Sequence, residues 1–366
     1  MATETQKAIF LGPDGEVSVK EVTQNYTPAG NQALVKVKYS AINPADLRHS
    51  YMGLHGSVAG YEWVGTAIEV GDASPFTVGQ ELFGMVEVAA SKPQYLGAHQ
   101  NFLVADGTQH TWALPKGLSP EVAVGMPVAV QTVADAFFNV FGFGFPEAKI
   151  SGSDTANTAI LIWGGASSVG AAAIQIAKTV GFNPIFTTAS KHNHASLEKL
   201  GATQCFDYKS PEVVQEIKAA VAKSGKKLRV VFDGVSANIP VLGTVVPEGA
   251  ISTADLGRQA CSEDVPEKDL LLCGVLPVPT DPTWKFCLGV RNYGDKLEAL
   301  GGVAQDPEFP IRMNKFIVWL VANHEKHWQQ ALRITKVKGA EEGVRQIRRV
   351  FGGGASMEKV LIERPL

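Results

Sequence analysis

The chain has 366 residues, 45% of them hydrophobic and 19% charged, long enough for two domains with cores of their own. Its 33 Lys and Arg against 36 Asp and Glu leave a net charge of -3, which removes a general electrostatic basis for binding nucleic acid. MATETQKAIF lacks a basic segment followed by a long apolar run, and no uncharged stretch is long enough to cross a bilayer, so a cytoplasmic protein with no membrane partner is expected.

In chain order, the first ~120 residues read as short strands, Ala8 to Leu11, Val17 to Lys20, Ala33 to Ser40, Glu62 to Val70 and Glu81 to Val88, separated by Gly, Pro and Asp turns. Ser119-Pro120-Glu121 has the composition of a helix start, and Val122, Val124, Met126, Val130, Val133 and Phe137 continue it as one helix. A loop rich in Gly, Ser, Asp and Thr, from about Gly142 to Thr158, follows.

The stretch TAILIWGGASSVGAAAIQIAK, Thr158 to Lys178, then carries the strongest signal in the chain. Ala159 to Trp163 is a continuous apolar run, as expected of a strand buried on both faces, and Val169, Ala172, Ala173, Ile176, Ala177 and Val180 recur at helical spacing. The period changes across Gly164, Gly165 and Gly170, where glycine permits a tight turn and close backbone approach, and the helix N-terminus offers its positive end to a pyrophosphate. The pattern is GGxxxxG, not strict GxGxxG. A second strand, Asn183 to Thr188, ends in Ala189-Ser190-Lys191-His192-Asn193. An NAD site places Asp or Glu there to bind the ribose 2′-hydroxyl; Ser190 and Lys191 instead suit a 2′-phosphate, so NADPH is the expected cofactor.

Beyond the glycine turn, strands at Val230 to Phe232, near Ala250 and at Leu270 to Val275 alternate with helices, the order of a doubly wound parallel sheet. The run Leu270 to Leu276 is a candidate exposed edge for pairing across a two-fold axis, although Pro277, Pro279 and Pro282 would blunt it. A helix from Pro307 to about Asn323 and a helix-strand pair from Ala340 to Ile362 complete the pattern. Cys205, Cys261, Cys273 and Cys287 form no CxxC pair, and HEKH at His324 to His327 lacks the HExxH spacing, so neither a disulfide framework nor a metal site is indicated.

AINPADLR (Ala41 to Arg48), GYEWVGTAIEVG (Gly60 to Gly71), LPKGLSPEVAVGMPVAVQTVADAF (Leu114 to Phe137), the glycine turn, GATQCFDYKS (Gly201 to Ser210), VVFDGVS (Val230 to Ser236) and MEKVLIERP occur in a specific order and spacing. In these the chain resembles, along nearly its whole length, the medium-chain dehydrogenase/reductase superfamily, and within it the zinc-independent branch of quinone oxidoreductases and fungal trans-acting enoyl reductases. The resemblance implies an α/β protein: a GroES-like β domain for the substrate (residues 1–128 and 325–366) and a doubly wound Rossmann domain for NADPH (129–324), with the active site in the cleft between them. Where zinc-dependent members carry Cys and the His of a GHE motif, this chain has Asn43 and Tyr61, and no cysteine precedes Cys205 to form a structural zinc lobe. No metal is therefore expected.

Without a Lewis acid, the reaction implied is hydride addition to a conjugated acceptor, whose β-carbon is already electrophilic. Related reductases often keep a Lys two residues after the Asp of NPxD; here that residue is Arg48, which can bind an enolate or a phosphate but hardly deprotonates. Tyr61 and Tyr51 are alternative proton donors, although each taken alone reads first as a packing tyrosine. Thr132 matches a threonine that contacts the nicotinamide ribose and amide, and can also be read as an interior helix threonine. The candidate catalytic set is thus Arg48, Tyr61 and Thr132. The candidate cofactor set is Asn43, Thr132, Gly164, Gly165, Ser167, Ser168, Val169, Gly170, Ser190, Lys191, Asn193, Tyr208 and Asp233. In it Tyr208 matches a residue packing near the 2′-phosphate, Asp233 ends a Rossmann strand in either a capping or a contact role, and Asn43 with Asp46 shapes the NPxD turn.

The activity implied is NADPH-dependent reduction of the C=C bond of an α,β-unsaturated carbonyl or enoyl thioester, carried by a partner polyketide synthase or free. A quinone or small-enal reductase and a catalytically silent NADPH-binding regulator are the alternatives. Leu276 to Gly302, rich in aromatics and turns, is expected to line the substrate pocket.

Overall fold

The computed structural model describes residues 5–23, 25–89, 92–297 and 300–366. The chain forms two compact units: residues 1–128, 290–314 and 333–366 make the first, and residues 129–289 and 315–332 the second. Relative to the sequence-based division, residues 290–314 fall in the first unit and 325–332 in the second.

The first unit is built on β-strands whose alternation is visible residue by residue. In Gln32–Ala41, Val35, Val37 and Tyr39 are buried while Lys36 and Lys38 are exposed, the period of two that turns one face to a core. This strand pairs antiparallel with Glu62–Val70, Phe102–Asp106 and the C-terminal strand Glu358–Glu363, at the centre of a seven-stranded sheet. The helix Ala340–Phe351 buries Ala340, Gly343, Ile347 and Val350 at helical spacing and joins Ile9, Leu11, Ile42, Leu47 and Ile362 in one apolar cluster. Its Glu and Arg residues remain on the other face.

The second unit contains a six-stranded, all-parallel sheet in which Ala159–Trp163 lies between Ile185–Thr188 and Leu228–Asp233. Beyond these two strands the sheet extends to Gln204–Phe206 on one side and to Leu271–Gly274 and Trp284–Phe286 on the other. Numbered from Ala159–Trp163, the strand order is 3-2-1-4-5-6, the doubly wound arrangement in which ligands bind where the order reverses. All five residues of Ala159–Trp163 are buried, as a strand covered on both faces requires.

Three expectations are corrected. The single helix after Ser119 is broken into Pro120–Ala123, Pro127–Ala134 and a π-helical stretch Asp135–Val140, because Pro127 lacks the N–H needed to continue the first piece. No strand forms at Ala250 among the described residues; Gly249 takes a positive φ and Ser252 caps the helix Thr253–Gln259 by accepting the Asp255 N–H. Leu271–Gly274 is not an edge: it lies between Leu228–Asp233 and Trp284–Phe286, and Leu272 and Cys273 are fully buried.

Candidate functional site

In the second unit the glycine turn follows Trp163 directly. Gly164 has φ +83°, and a Cβ there would meet the Val235 side chain at 2.6 Å. A Cβ on Gly165 would collide with Thr187 Oγ1, and one on Gly170 with the Gly164 carbonyl. The three glycines therefore let the turn pass between two strands with the helix Ser168–Val180 seated on it. Ser167 caps that helix, its Oγ accepting the Gly170 N–H at 2.9 Å and donating to the Gly164 carbonyl at 2.9 Å. The first-turn amides of Ser168 and Val169 have no intrahelical acceptor and remain for an anion.

Thr188 and Phe206 are paired in register, so Ser190, Lys191, Asn193 and Tyr208, which follow those two strands, emerge at the same end of the sheet. Lys191 is exposed, Asn193 is buried, and Tyr208 is 47% exposed with Lys209 Nζ 5.8 Å from its ring centre. Lys209 is a second cation at this end that the sequence reading passed over, although it stands in the same FDYK motif. Asp233, at the end of the strand on the other side of Ala159–Trp163, is buried and its carboxylate is committed: Oδ1 accepts the Val235 and Ser236 N–H groups and Oδ2 the Thr253 hydroxyl at 2.5 Å. It acts as a turn cap. Thr132 is buried in the helix Pro127–Ala134.

Asn43, Arg48 and Tyr61 lie in the first unit. There the buried Glu62 carboxylate is fully engaged: Oε1 accepts the Val128 N–H at 2.7 Å, and Oε2 accepts Asn43 Nδ2 at 2.8 Å and Lys359 Nζ at 2.6 Å. Lys359 also donates to Asn43 Oδ1 at 2.7 Å. Asn43 N–H in turn donates to Asp46 Oδ2 at 2.8 Å, closing the NPxD turn.

Asp46 Oδ2 also lies 3.3 Å from His99 Nε2, and His99 Nδ1 lies 2.8 Å from Ser40 Oγ. Arg364 can only donate, and it donates to Ser40 Oγ at 2.7 Å. The serine proton then goes to His99 Nδ1, and His99 donates through Nε2 to Asp46. The second oxygen, Asp46 Oδ1, is buried without a hydrogen-bond partner. Burial lowers the pKa of His99 and brings that of Arg364 down to about 9.

Tyr61 is 5% exposed, its hydroxyl 2.5 Å from His49 Nδ1. Burial raises the Tyr61 pKa well above its usual value, helped by Asp46. Burial pulls His49 down to about 4 against the attraction of Asp46, with Lys92 and Arg48 adding to the fall. Lys92 Nζ lies 5.0 Å from the Tyr61 ring centre. Arg48 is placed differently: its guanidinium stacks 4.9 Å from the Phe351 ring centre, beside Tyr51, whose ring stacks on the same phenylalanine. Tyr61 is thus joined to His49 and Lys92, two residues the sequence reading did not single out because nothing in their local spacing marks them.

A glycine turn at the switch point of a 3-2-1-4-5-6 sheet, in a chain that also carries a β unit of this topology, defines a dinucleotide-dependent oxidoreductase. Residues 29–124 match the family model for the alcohol dehydrogenase GroES-like domain and residues 168–244 that for the zinc-binding dehydrogenase. The chain is 28% identical over 343 residues to trans-enoyl reductase RAP2 of Pyricularia oryzae, covering 92% of each chain. To trans-enoyl reductase tazE of Aspergillus terreus it is 33% identical over 241 residues, 62% of this chain and 75% of tazE. The solved CurK enoyl reductase shares the fold with a TM-score of 0.67 at 18% identity, over 98% of this chain and 99% of its own. The chain belongs to the medium-chain dehydrogenase/reductase family, whose Rossmann-type unit binds a nicotinamide cofactor.

The glycine cradle fits such a cofactor, but the first unit does not fit the zinc that one family description implies. Asn43 and Tyr61 are poor zinc donors. Glu62, whose carboxylate accepts from Asn43, is held by an ammonium that a metal would have to displace, and Asp46 Oδ2 is taken by the Asn43 N–H and His99. Among the described residues no three His, Cys, Asp or Glu side chains are grouped to hold a metal ion.

Two outcomes follow from this geometry. Lys359→Met leaves the Glu62 charge buried and unpaired, and should lower the unfolding free energy by about 3–5 kcal/mol in urea titrations; adding Glu62→Gln should recover part of the loss, and an unchanged midpoint for the single variant would refute the clamp. Gly165→Val drives a side chain against Thr187 and should abolish cofactor-induced thermal stabilisation. A variant still stabilised as well as the parent would move the site elsewhere.

Proposed function

We propose that this protein is an NADPH-dependent, zinc-independent enoyl reductase that reduces the C=C bond of an α,β-unsaturated carbonyl or enoyl thioester. The observation that carries the reading is the Glu62–Lys359–Asn43 clamp: Asn43, which stands where zinc-dependent relatives carry a ligand, and the neighbouring Glu62 are committed to an ammonium and to each other. Such a site suits an acceptor that is electrophilic without a Lewis acid. The names of the relatives, trans-enoyl reductases, agree with this choice. In keeping with the resemblance drawn from the sequence motifs, the substrate is an enoyl thioester carried by a partner polyketide synthase, and the protein works in the cytoplasm.

The cofactor, when bound, supplies hydride to the β-carbon. Gly164, Gly165 and Gly170 give its pyrophosphate access to the amides of Ser168 and Val169. Ser190, Lys191, Tyr208 and Lys209 hold the 2′-phosphate, with two cations and no carboxylate in the Ser190 to Asn193 segment. Asn193 supports that segment from its buried position, and Thr132 positions the nicotinamide. Asn43 acts through the clamp. Tyr61, kept protonated by burial, offers its O–H toward the developing enolate oxygen. Arg48 contributes charge from its place on Phe351 and helps hold His49 neutral.

The test is NADPH oxidation with a panel of enoyl thioesters, enals, enones and quinones. The reading expects the conjugated thioesters and enones to be turned over fastest. Faster turnover of quinones would replace it with a quinone reductase, and NADPH binding without any turnover would leave a regulatory protein. Lys191→Glu should weaken NADPH by roughly 1–3 kcal/mol in binding titrations while sparing NADH. Equal affinity of the unmodified protein for both cofactors would contradict the 2′-phosphate site.

A further inference from the structure

We propose that Lys92, supplied by the loop before Gly97, is the acid that protonates the α-carbon after hydride transfer, positioned by the Tyr61 ring and, through it, by His49. The inference rests on the reductase reading above.

Four observations converge on Lys92. Its ammonium sits 5.0 Å from the centre of the Tyr61 ring, a cation held over a π face. The Tyr61 hydroxyl is tied to His49, whose ring packs edge-on at 4.9 Å, so the tyrosine that orients Lys92 is itself fixed. Asp46 Oδ1 is buried without a hydrogen-bond partner and the carboxylate acts on Lys92, His49 and Tyr61 alike. Finally, Arg48 is turned to Phe351.

The neighbours are poor acids near neutrality. Tyr61 holds its proton too tightly, and His49, at about 4, carries no extra proton to give. Arginine hardly deprotonates. Burial of the ammonium brings Lys92 down to about 8, opposed by the attraction of Asp46 and Glu87. His49 and His99, which also face it, are both held toward the neutral form by burial, and Glu87 is itself raised by burial. A lysine in that range is protonated at neutral pH yet able to release its proton. In the step, the Lys92 N–H bond breaks as the Cα–H bond forms. The enolate becomes the saturated carbonyl, the ammonium becomes an amine, and solvent restores its proton after the product leaves.

The sign of the pH dependence follows. The protonated form is the active one, so kcat should be level below about pH 8 and fall above it. The experiment uses the acceptor that the wild-type protein reduces fastest, with Lys92→Met, Lys92→Arg and Tyr61→Phe followed across that pH range and NADPH affinity measured alongside. Lys92→Met and Lys92→Arg should each lose about 100-fold in kcat and lose the alkaline limb near 8, with NADPH affinity within twofold of wild type. Tyr61→Phe should be milder and keep the limb. Near wild-type kcat in Lys92→Arg, or an alkaline limb that persists in Lys92→Met, overturns the assignment while leaving the reductase reading intact. Absence of turnover in the wild-type protein removes both.

Discussion

The first unit depends on one buried charge. Glu62 is fully buried, and burying a carboxylate without a partner costs several kcal/mol. Lys359, from the C-terminal strand, neutralises it, and the Asn43 amide and Val128 N–H occupy the remaining acceptor positions. Four segments far apart in sequence are tied by this one carboxylate. The NPxD turn is held in the shape that aims Asp46 at His99, and Tyr61, adjacent to Glu62, inherits a fixed backbone.

The second unit is organised by sterics. At the switch point the backbone of the glycine turn passes so close to Thr187 and Val235 that Cβ atoms would collide, and Ser167 fastens the turn to the helix it caps. Sheet register does the rest, since pairing Thr188 with Phe206 brings the Ser190–Lys191 and Tyr208–Lys209 segments to the same end of the sheet. The glycine turn and the placement of these lysines are both consequences of a parallel sheet in which Ala159–Trp163 is fully buried.

What could be read from the sequence was what is local. The glycine turn, the apolar strand before it and the period change after it are contiguous, and the missing acid at Ser190 lies one strand further on. The strand near Ala250 was misread because an apolar patch beside Pro247 and Gly249 resembles a strand, while the Ser252 cap fixes a helix. The broken helix at Pro127 follows from a single absent N–H. The polar network of the first unit was not legible: Glu62 meets Lys359 across 297 positions, and Asp46 meets His99 across 53. Lys92, His49 and His99 carry no motif, and only the fold gives them partners. Arg48 illustrates the reverse, a residue marked by its motif position that the structure turns toward Phe351.

The central claim is that an ion pair, not a metal, fills the first unit's polar centre. Elemental analysis of the purified protein, with reductase activity of the same preparation before and after exhaustive chelation, tests it most directly. The account predicts less than stoichiometric zinc and activity unchanged by the chelator. Stoichiometric zinc, with activity that vanishes on chelation and returns when zinc is restored, would contradict it.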